Sequence, residues 1–250
     1  MNRITFKHPK VNNDEDTYFF TAASKEDTEV QIAEVLVGEH YKRGRVKKDM
    51  TVIDCGANIG LASIFFKDWA KEIYALEPSS RNYECLVENT KQYENIKPFQ
   101  VGLAARTSYE WLKTNNGNPI AESLFGNGSP IEHVKLFSIE DFMNEQKIEH
   151  VDLLKMDTEG AEYLVFPSTA FGKVAHKIDY IVGEAHYFGT LVPDFLPMVL
   201  DRQGFDLEWE PINNMWLSLD WDEGDENKQH HRVDKNTIFF AKRKDLPWPN

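Results

Sequence analysis

Acidic and glycine residues stand where an apolar strand gives way to an amphipathic helix, in the stretch TVIDCGANIGLASIFF at 51–66. Asp54 ends the predicted strand, and Gly56, Asn58 and Gly60 belong to the turn that follows it. A strand that enters a helix through such a turn presents backbone N–H groups and the positive end of a helix dipole. An acid at this point repels a phosphate and attracts a cation, so the sequence predicts a ligand that carries positive charge.

A second carboxylate, Glu77, ends the next predicted strand 23 positions after Asp54. Doubly wound nucleotide-binding folds place at this distance a carboxylate that binds ribose hydroxyls. The dinucleotide fingerprint requires glycine where this chain has Asn58 and Leu61, and no Walker phosphate loop is present. S-adenosylmethionine, with its amine, sulfonium and free ribose diol, therefore fits the two acids better than NAD or ATP. The alternative is that Asp54 caps the turn and Glu77 is an ordinary strand-end acid.

Two later strands are also followed by polar residues: Asp157 and Glu159 after the fourth, Glu184 and His186 after the fifth. Ligands of open α/β sheets gather at these carboxyl ends. If a methyl group passes to a hydroxyl, a base must take the hydroxyl proton, and His186 is preferred because its unperturbed pKa lies near working pH. Asp157 is expected to contact the methionine amine or to orient the acceptor, and Glu159 is the third catalytic candidate. The alternatives are a hydrogen-bonding cap at His186 and dipole-stabilised helix acids at Glu159 and Glu162.

The same strand ends leave open the binding of a divalent cation such as Mg²⁺, because three carboxylates and one imidazole are expected to meet there. Sequence spacing does not decide it, and no metal ligand is assigned. The remaining contacts to the cofactor are expected near the glycine turn and beyond the second and third strands. They are Ala57 and Pro78 beside the two acids, Gly102 and Ser123 near the adenine, and Tyr41 over the methionine end, with core packing as the competing explanation for Tyr41.

The elements that must position these residues alternate between strand and helix after about residue 50, which is typical of a parallel sheet. Strands are predicted at Val52–Asp54, Glu72–Glu77, Lys97–Leu103, Val151–Met156, Tyr180–Glu184 and Thr237–Ala241. The span Thr107–Pro130 is rich in glycine, asparagine and serine and predicts a hairpin or a long loop. A capping box at Ser138–Asp141 predicts a helix with Ile139, Phe142 and Met143 inward. We expect a leader of short elements at 1–48, the main domain at 49–244 and a tail at 245–250.

The formal charge of −13, from 41 acidic and 28 basic residues, disfavours nucleic-acid binding. The chain has no apolar run of membrane-spanning length, and its first ten residues lack the apolar core of a secretory signal. Cys55 and Cys85 are too few for a disulfide framework and are expected as buried thiols. We therefore expect a cytoplasmic protein that does not bind nucleic acid. The sequence does not indicate an oligomeric state.

Four blocks, VIDCGANIG, YALEPSSRNYECLVEN, VDLLKMDTEGAEYLVF and IVGEAH, occur in this order and resemble the FkbM family of class I methyltransferases. The leader segment EVLVGEHYKRG is similar to the element that precedes the first strand in that family. The resemblance runs from about Glu34 to Lys242, and the KMDTEGAE block is its most discriminating part. Cys55 stands where isoleucine or valine is commoner.

The resemblance implies a doubly wound, Rossmann-like sheet of seven mostly parallel strands, with helices on both faces and the last strand antiparallel. It also implies S-adenosylmethionine as cofactor and O-methylation of a saccharide or related natural product. Four aromatic residues in the C-terminal part of the chain are candidates for stacking on a sugar, with core packing equally expected. They are Phe188, Trp209, Trp216 and Trp221. The alternatives from other classes are a non-catalytic module that binds or senses the cofactor and an NAD enzyme, which Asn58 disfavours.

Overall fold

The computed structural model describes residues 1–7, 15–20, 29, 31–37, 40–115, 118–125, 128–186, 195–210 and 237–249. Its strands are β1 (Asn2–Lys7), β2 (Glu15–Phe20), β3 (Met50–Cys55), β4 (Ala70–Leu76), β5 (Ile96–Phe99), β6 (Gly102–Leu103), β7 (Ser108–Asn115), β8 (Asn118–Ser123), β9 (Pro130–Phe137), β10 (Val151–Met156), β11 (Ile178–Ala185), β12 (Phe205–Glu210) and β13 (Thr237–Arg243). Its α-helices are α1 (Leu61–Phe66), α2 (Ser80–Thr90), α3 (Ile139–Gln146), α4 (Glu162–Val165), α5 (Thr169–Val174) and α6 (Phe195–Arg202).

Seven strands form the main sheet in the order β12-β13-β11-β10-β3-β4-β5. β5, β4, β3, β10 and β11 are parallel, and β13 runs antiparallel to both of its neighbours. This arrangement confirms the predicted seven-stranded Rossmann-like sheet with an antiparallel last strand. The chain leaves β3 toward one edge and later returns beside it as β10, so the strand order reverses between these two. A crevice opens at such a reversal, at the carboxyl ends of the strands.

Buried apolar residues explain why these segments form strands. All six residues of β10 are buried, as expected for a central strand covered by helices on both faces. Val52–Asp54 lies within β3, Val151–Met156 coincides with β10, and Tyr180–Glu184 lies within β11. The second predicted strand ends one residue early, so that Glu77 directly follows β4.

The predicted strand Lys97–Leu103 was wrong as a single element. β5 ends at Phe99 in the main sheet, whereas β6 pairs with β9 in a different sheet. Gly102 allows this change of sheet, because a Cβ there would lie 2.8 Å from the Leu136 side chain.

The span Thr107–Pro130 contains the antiparallel pair β7 and β8, so the hairpin alternative is correct. This pair belongs to a second sheet with the order β6-β9-β7-β8, and β9 was not predicted. Leu112, Val134 and Leu136 are buried on one face of this sheet, and Tyr109 and Trp111 are exposed on the other. The second sheet thereby covers one edge of the crevice with apolar side chains.

The leader and the C-terminal residues pack on the same core as the main sheet. β1 and β2 form an antiparallel pair, and a π-helical turn occupies Ala33–Val37. Ile4, Tyr18 and Tyr41 belong to one buried cluster with Val52 of β3. Leu246 and Trp248 pack against this cluster from the other end of the chain. The leader therefore shares a hydrophobic core with the strands that carry the site.

Helix starts follow the predicted caps. Ser138 accepts a hydrogen bond from the Asp141 N–H and caps α3, whose Ile139, Phe142 and Met143 are buried. Ser79 precedes α2, and Gly204 follows α6 with a φ of 91°. Across the described residues, every helix is too short or too polar to cross a bilayer.

Candidate active site

A cavity of about 280 Å³ lies over the carboxyl ends of the central strands. Residues that follow β3, β4, β10 and β11 form its floor, and the second sheet and the leader form its walls. The predicted site residues that line it are Gly56, Ala57, Asn58, Glu77, Pro78, Gly102, Ser123, Asp157 and Glu159. Asp54, Gly60 and His186 are not among its lining residues. The structure thus brings most of the predicted residues together and places three of them behind the wall.

The glycine turn is fastened to the end of β4. The Gly56 and Ala57 N–H groups donate to the Leu76 carbonyl at 3.0 and 2.9 Å, and the Asn58 N–H donates to Glu77 Oε2 at 2.9 Å. The predicted free N–H groups are therefore already engaged at these three positions. Helix α1 has only six residues and contributes little dipole. The backbone of the turn lies close to the end of β4 and so forms part of the cavity floor.

Gly56 has a φ of 75°, and a Cβ at this position would lie 1.8 Å from the Asp157 carbonyl oxygen. Only glycine fits, because both the left-handed backbone and the neighbouring strand end exclude a side chain. Gly60 has a φ of 96° and faces Leu86 and Thr90 of α2. Gly60 therefore serves helix packing, whereas Gly56 serves contact between the two central strand ends.

Asp54 is fully buried and forms an ion pair with Lys155 of β10. Lys155 Nζ lies 3.2 Å from Asp54 Oδ1, and the Ser63 hydroxyl donates to Asp54 Oδ2 at 2.6 Å. Lys155 Nζ also donates to the Gly56 carbonyl at 2.8 Å. Asp54 therefore does not occupy the expected position against a cationic ligand, because the chain supplies its own cation. Its carboxylate instead ties β3 to β10 below the cavity floor.

Lys155 was missed by sequence reasoning and is 2% exposed. Burial alone would lower the pKa of this lysine, but Asp54 and Asp157 outweigh burial and raise the pKa. The signal was present in the sequence, since Lys155 stands among apolar residues near the end of the strand VDLLKM. A buried lysine in such a strand requires an acid on a neighbouring strand.

Glu77 lines the cavity and is 6% exposed. Its carboxylate accepts the Asn58 N–H and the Ser79 N–H, both at 2.9 Å. Burial raises the pKa of Glu77 to about 7, although these two backbone donors oppose the rise. The carboxylate is held in one orientation at the edge of the cavity, with lone pairs remaining for a ligand's hydroxyl groups.

His186 stands among four carboxylates. Its Nε2 lies 3.6 Å from Asp157 Oδ1, 3.7 Å from Glu159 Oε1 and 3.9 Å from Glu184 Oε1, and its Nδ1 lies 3.5 Å from Glu162 Oε1. Burial alone would lower the pKa of His186, but Glu162, Glu159 and Glu184 raise it well above its ordinary value. These carboxylates therefore favour the protonated form of the imidazole. The reason given for His186 as a base, an unperturbed pKa, does not hold.

Glu162 fixes the turn between β10 and α4. It is fully buried, and its carboxylate accepts the Thr158 N–H at 2.7 Å, the Thr158 hydroxyl at 2.8 Å and the Gly160 N–H at 3.0 Å. Glu159 in this turn has a φ of 52°, which is uncommon for a residue with a side chain. The turn directs Glu159 toward the cavity. The expectation that Glu162 is only a dipole-stabilised helix acid missed this role.

Asp157 is held from the leader side by Tyr41. The Tyr41 hydroxyl donates to Asp157 Oδ2 at 2.6 Å, and Lys155 Nζ lies 3.6 Å from the same oxygen. Burial would raise the pKa of Asp157, but Lys155 and His186 lower it, so its carboxyl is ionised. Tyr41 is 2% exposed and both packs in the core and lines the cavity. Glu34 and His40 of the leader also line the cavity, and no sequence signal marked them.

Two of the predicted peripheral contacts, Gly102 and Ser123, also line the cavity. Gly102 lies under Leu136, and the Ser123 hydroxyl donates to the Glu159 carbonyl. Trp209 packs edge-on against Phe239, with ring centroids 6.1 Å apart, so it is a core residue. Phe188, Trp216 and Trp221 lie outside the described residues.

Among the described residues, two groups have the geometry to hold a metal ion. Asp157, Glu184 and His186 each offer one ligand atom, and these atoms all lie within 4.8 Å of one another. The other group, His150, Asp152 and Asp179, lies at the opposite end of β10 and β11.

Residues 54–207 match the model of the FkbM methyltransferase domain. This chain belongs to the FkbM methyltransferase family. A curated relative, methyltransferase sdnD of Sordaria araneosa, is 25% identical over 238 residues, which cover 78% of this chain and 91% of that protein. The family match includes Asp54, Glu77, Asp157 and His186, and it excludes the leader residue Tyr41.

Solved methyltransferase structures are similar to this FkbM family member at low sequence identity. SMU.1697c from Streptococcus mutans, in complex with S-adenosylhomocysteine, is 12% identical, with a TM-score of 0.46 and coverage of 83% of this chain and 97% of that one. Fibrillarin from Aeropyrum pernix, with bound S-adenosylmethionine, is 14% identical, with a TM-score of 0.46 and coverage of 79% and 68%. An rRNA methylase from Streptococcus thermophilus is 11% identical, with a TM-score of 0.49 and coverage of 82% and 93%.

Proposed function

We propose that this protein transfers the methyl group of S-adenosylmethionine to a hydroxyl oxygen of a saccharide or related natural product. The observation that carries the proposal is that one cavity holds a fixed carboxylate, Glu77, and a separate group of carboxylates around Asp157. These match the two polar parts of the cofactor, its ribose diol and its cationic methionine portion.

The cofactor is oriented by this separation of polar groups. Glu77 accepts the ribose hydroxyls, since its remaining lone pairs face the cavity edge. The adenine lies toward Gly102 and Ser123, where Leu112 and Leu136 supply apolar wall. The amine and the sulfonium lie toward Asp157, which is ionised and can stabilise their positive charge.

Transfer is an in-line displacement at the methyl carbon. The bond from carbon to sulfur breaks as the bond from carbon to the acceptor oxygen forms, and the sulfonium becomes the neutral thioether of S-adenosylhomocysteine. The protein must hold the acceptor oxygen about 3 Å from the methyl carbon. The acceptor's hydroxyl proton leaves to a base as the new bond forms.

Glu159 is the side chain best placed to take this proton. It lines the cavity, its side chain is 34% exposed, and the turn held by Glu162 directs it inward. Asp157 is less available, because Tyr41 already donates to one of its oxygens. His186 then orients the carboxylates through its charge, without itself accepting the proton.

Charge favours a neutral or weakly charged acceptor over a nucleic acid. The chain carries a formal charge of −13, and the cavity wall near the methyl position contributes Asp157, Glu159 and Glu184. A phosphate backbone would be repelled there, whereas sugar hydroxyls can donate hydrogen bonds to carboxylates.

Calorimetric titration with S-adenosylhomocysteine tests the cofactor site. We expect Glu77→Gln to weaken binding roughly tenfold or more, since charge-assisted hydrogen bonds to two hydroxyls are weakened. Glu88→Gln is the control, because Glu88 is an exposed acid of α2 paired with Lys91. Failure of the unchanged protein to bind S-adenosylhomocysteine would refute the proposal.

Transfer of a labelled methyl group to glycan and natural-product extracts, with ribosomal RNA in parallel, tests the acceptor. We expect the label in a product that survives mild alkali, as a methyl ether does and a methyl ester does not. Glu159→Gln should lower the transfer rate about 100-fold while leaving S-adenosylhomocysteine affinity within twofold. Labelling of RNA alone would overturn the acceptor class, and binding without transfer in either extract would favour a non-catalytic module.

A further inference from the structure

The tips of β10 and β11 carry a mixed set of oxygen and nitrogen donors that the proposed reaction does not fully use. Asp157 follows β10, Glu184 belongs to the end of β11, and His186 follows it. Because β10 and β11 are adjacent and parallel, their carboxyl ends bring these side chains to one point. Asp157 and Glu184 line the cavity, and His186 stands directly behind them, 3% exposed.

We propose that Asp157, Glu184 and His186 bind a hard divalent cation of the Mg²⁺ or Mn²⁺ class at the cavity wall. Two carboxylates and one neutral imidazole are donors that such ions accept, and the open side toward the cavity leaves positions for water or a ligand oxygen. The cation replaces the proton on His186 Nε2, which passes to solvent, while the Nδ1 proton stays toward Glu162. No bond to the cation is needed from Glu159, which remains beside the group.

The separations fit ligands of a single ion. Bonds of about 2.1 Å at right angles place two donor atoms about 3.0 Å apart, and opposed bonds place them about 4.2 Å apart. His186 Nε2 lies 3.6 Å from Asp157 Oδ1 and 3.9 Å from Glu184 Oε1, between these limits. These distances exceed those of ordinary hydrogen bonds. The two carboxylate oxygens thus lie closer to His186 Nε2 than unrelated acids would, and farther from it than hydrogen-bond partners.

Partners behind the donors orient them, as second-shell groups do in metal sites. Glu162 Oε1 lies 3.5 Å from His186 Nδ1, on the side of the ring away from the carboxylates that face Nε2. Tyr41 donates to Asp157 Oδ2, so that Oδ1 is the atom that faces His186. A carboxylate behind the imidazole and a donor behind the ligating carboxylate are the supports that fix such ligands.

The second cluster of the same residue types is bound by cationic side chains of the chain. Lys47 Nζ lies 2.5 Å from Asp152 Oδ1, and the Arg243 guanidinium lies 3.2 Å from Asp179 Oδ1. The Thr51 N–H also donates to Asp152 at 2.7 Å. Side-chain cations of the chain already neutralise both of these acids, so His150, Asp152 and Asp179 form an ion-pair network. This cluster supplies a matched control.

A cation at the first cluster would polarise the acceptor hydroxyl and favour loss of its proton. This role rests on the proposed function, whereas binding of the cation does not.

Titration of the full-length protein with Mn²⁺, followed by electron paramagnetic resonance without cofactor, tests the site. We expect one bound Mn²⁺ per chain, displaced by excess Mg²⁺. Glu184→Gln should weaken the Kd at least tenfold, and Asp179→Asn should leave it within twofold. His186→Gln provides a second variant, and near-ultraviolet circular dichroism checks that each variant is folded.

Absence of Mn²⁺ binding at millimolar concentration would overturn the site. Equal weakening by Glu184→Gln and Asp179→Asn would also overturn it, because the ion would then bind by general charge. Affinity for S-adenosylhomocysteine, measured separately, distinguishes this failure from failure of the proposed function. Mn²⁺ binding without S-adenosylhomocysteine binding would retain the site and refute methyl transfer.

Discussion

Lys155 Nζ lies 3.2 Å from Asp54 Oδ1, and both side chains are buried between β10 and β3. The pair joins the two strands at which the sheet order reverses, directly below the proposed cofactor. A buried pair of this kind costs desolvation of both charges, and removing one partner leaves the other uncompensated.

Lys155→Met is therefore expected to destabilise the protein by about 3–5 kcal/mol, since Asp54 keeps a buried charge without its cation. Chemical denaturation measures the loss. The double variant Lys155→Met with Asp54→Asn should be less destabilised than the sum of the two single variants. Simple additivity would show that the two side chains do not interact in solution.

Glu77 should make both stability and cofactor binding depend on pH near neutrality. Its pKa is about 7 in the folded protein against an ordinary 4.5, mainly through burial, with Glu122 raising it further and Lys155 opposing. Between these values the folded state binds more protons than the unfolded state. The resulting stability is present at low pH and is lost as pH rises through about 7, by an amount on the order of 2–3 kcal/mol.

Denaturation between pH 5 and 8 checks this sign by comparison of the unchanged protein with Glu77→Gln, whose curve should lack that component. S-adenosylhomocysteine should bind more tightly as pH rises through about 7, because the ionised carboxylate is the better acceptor for ribose hydroxyls. A pH-independent affinity would contradict the role of Glu77 in binding.

Gly56→Ala and Gly204→Ala form a matched pair, because both glycines have a positive φ. A Cβ at Gly56 would lie 1.8 Å from the Asp157 carbonyl oxygen, whereas a Cβ at Gly204 has nothing within 4 Å. We expect Gly204→Ala to cost about 1 kcal/mol in backbone strain alone. Gly56→Ala should cost several times more and abolish S-adenosylhomocysteine binding. Thermal unfolding measures the loss of stability, and calorimetry measures S-adenosylhomocysteine binding. Equal losses of stability in the two variants would show that Gly56 is not packed against the Asp157 carbonyl.

Tyr41→Phe removes the hydroxyl that donates to Asp157. The expected cost is about 1–3 kcal/mol, because a buried carboxylate oxygen loses its hydrogen bond while the ring packing is kept. Tyr109→Phe is the control, since Tyr109 is 61% exposed. Denaturant unfolding of both variants gives the comparison. Indistinguishable stabilities would mean that water replaces the Tyr41 hydroxyl.

The main sheet was predictable because its strands are buried on both faces and are separated by capped helices. The stretch VDLLKM predicted both ends of β10 correctly, and Ser138 predicted the start of α3. β9 was missed because its exposed residues, including Ile131 and His133, obscure the alternation, and the change of sheet after Phe99 depends on contacts with Leu136. Local pattern does not encode such contacts.

The candidate site was predictable in position and less so in detail. Gly56, Glu77 and Asp157 were placed at the cavity because strand ends and turns follow from periodicity. The pairing of Asp54 with Lys155 depends on the register of β3 against β10, which only the folded sheet defines. The pKa of His186 is raised by Glu162 and Glu159, which are distant from it in sequence, and by Glu184, so its unperturbed pKa was misleading.

Part of the cavity wall is built by leader residues upstream of the first residue of the family match at Asp54, namely Gln31, Glu34, Val35, His40 and Tyr41. A fragment that begins at Asp54 would keep the strand-end acids and lose Tyr41, whose hydroxyl donates a hydrogen bond to Asp157. Two family members with the same domain could therefore differ in selectivity through their upstream segments alone. Exchange of such segments between relatives offers a route to altered acceptor choice that leaves the sheet untouched.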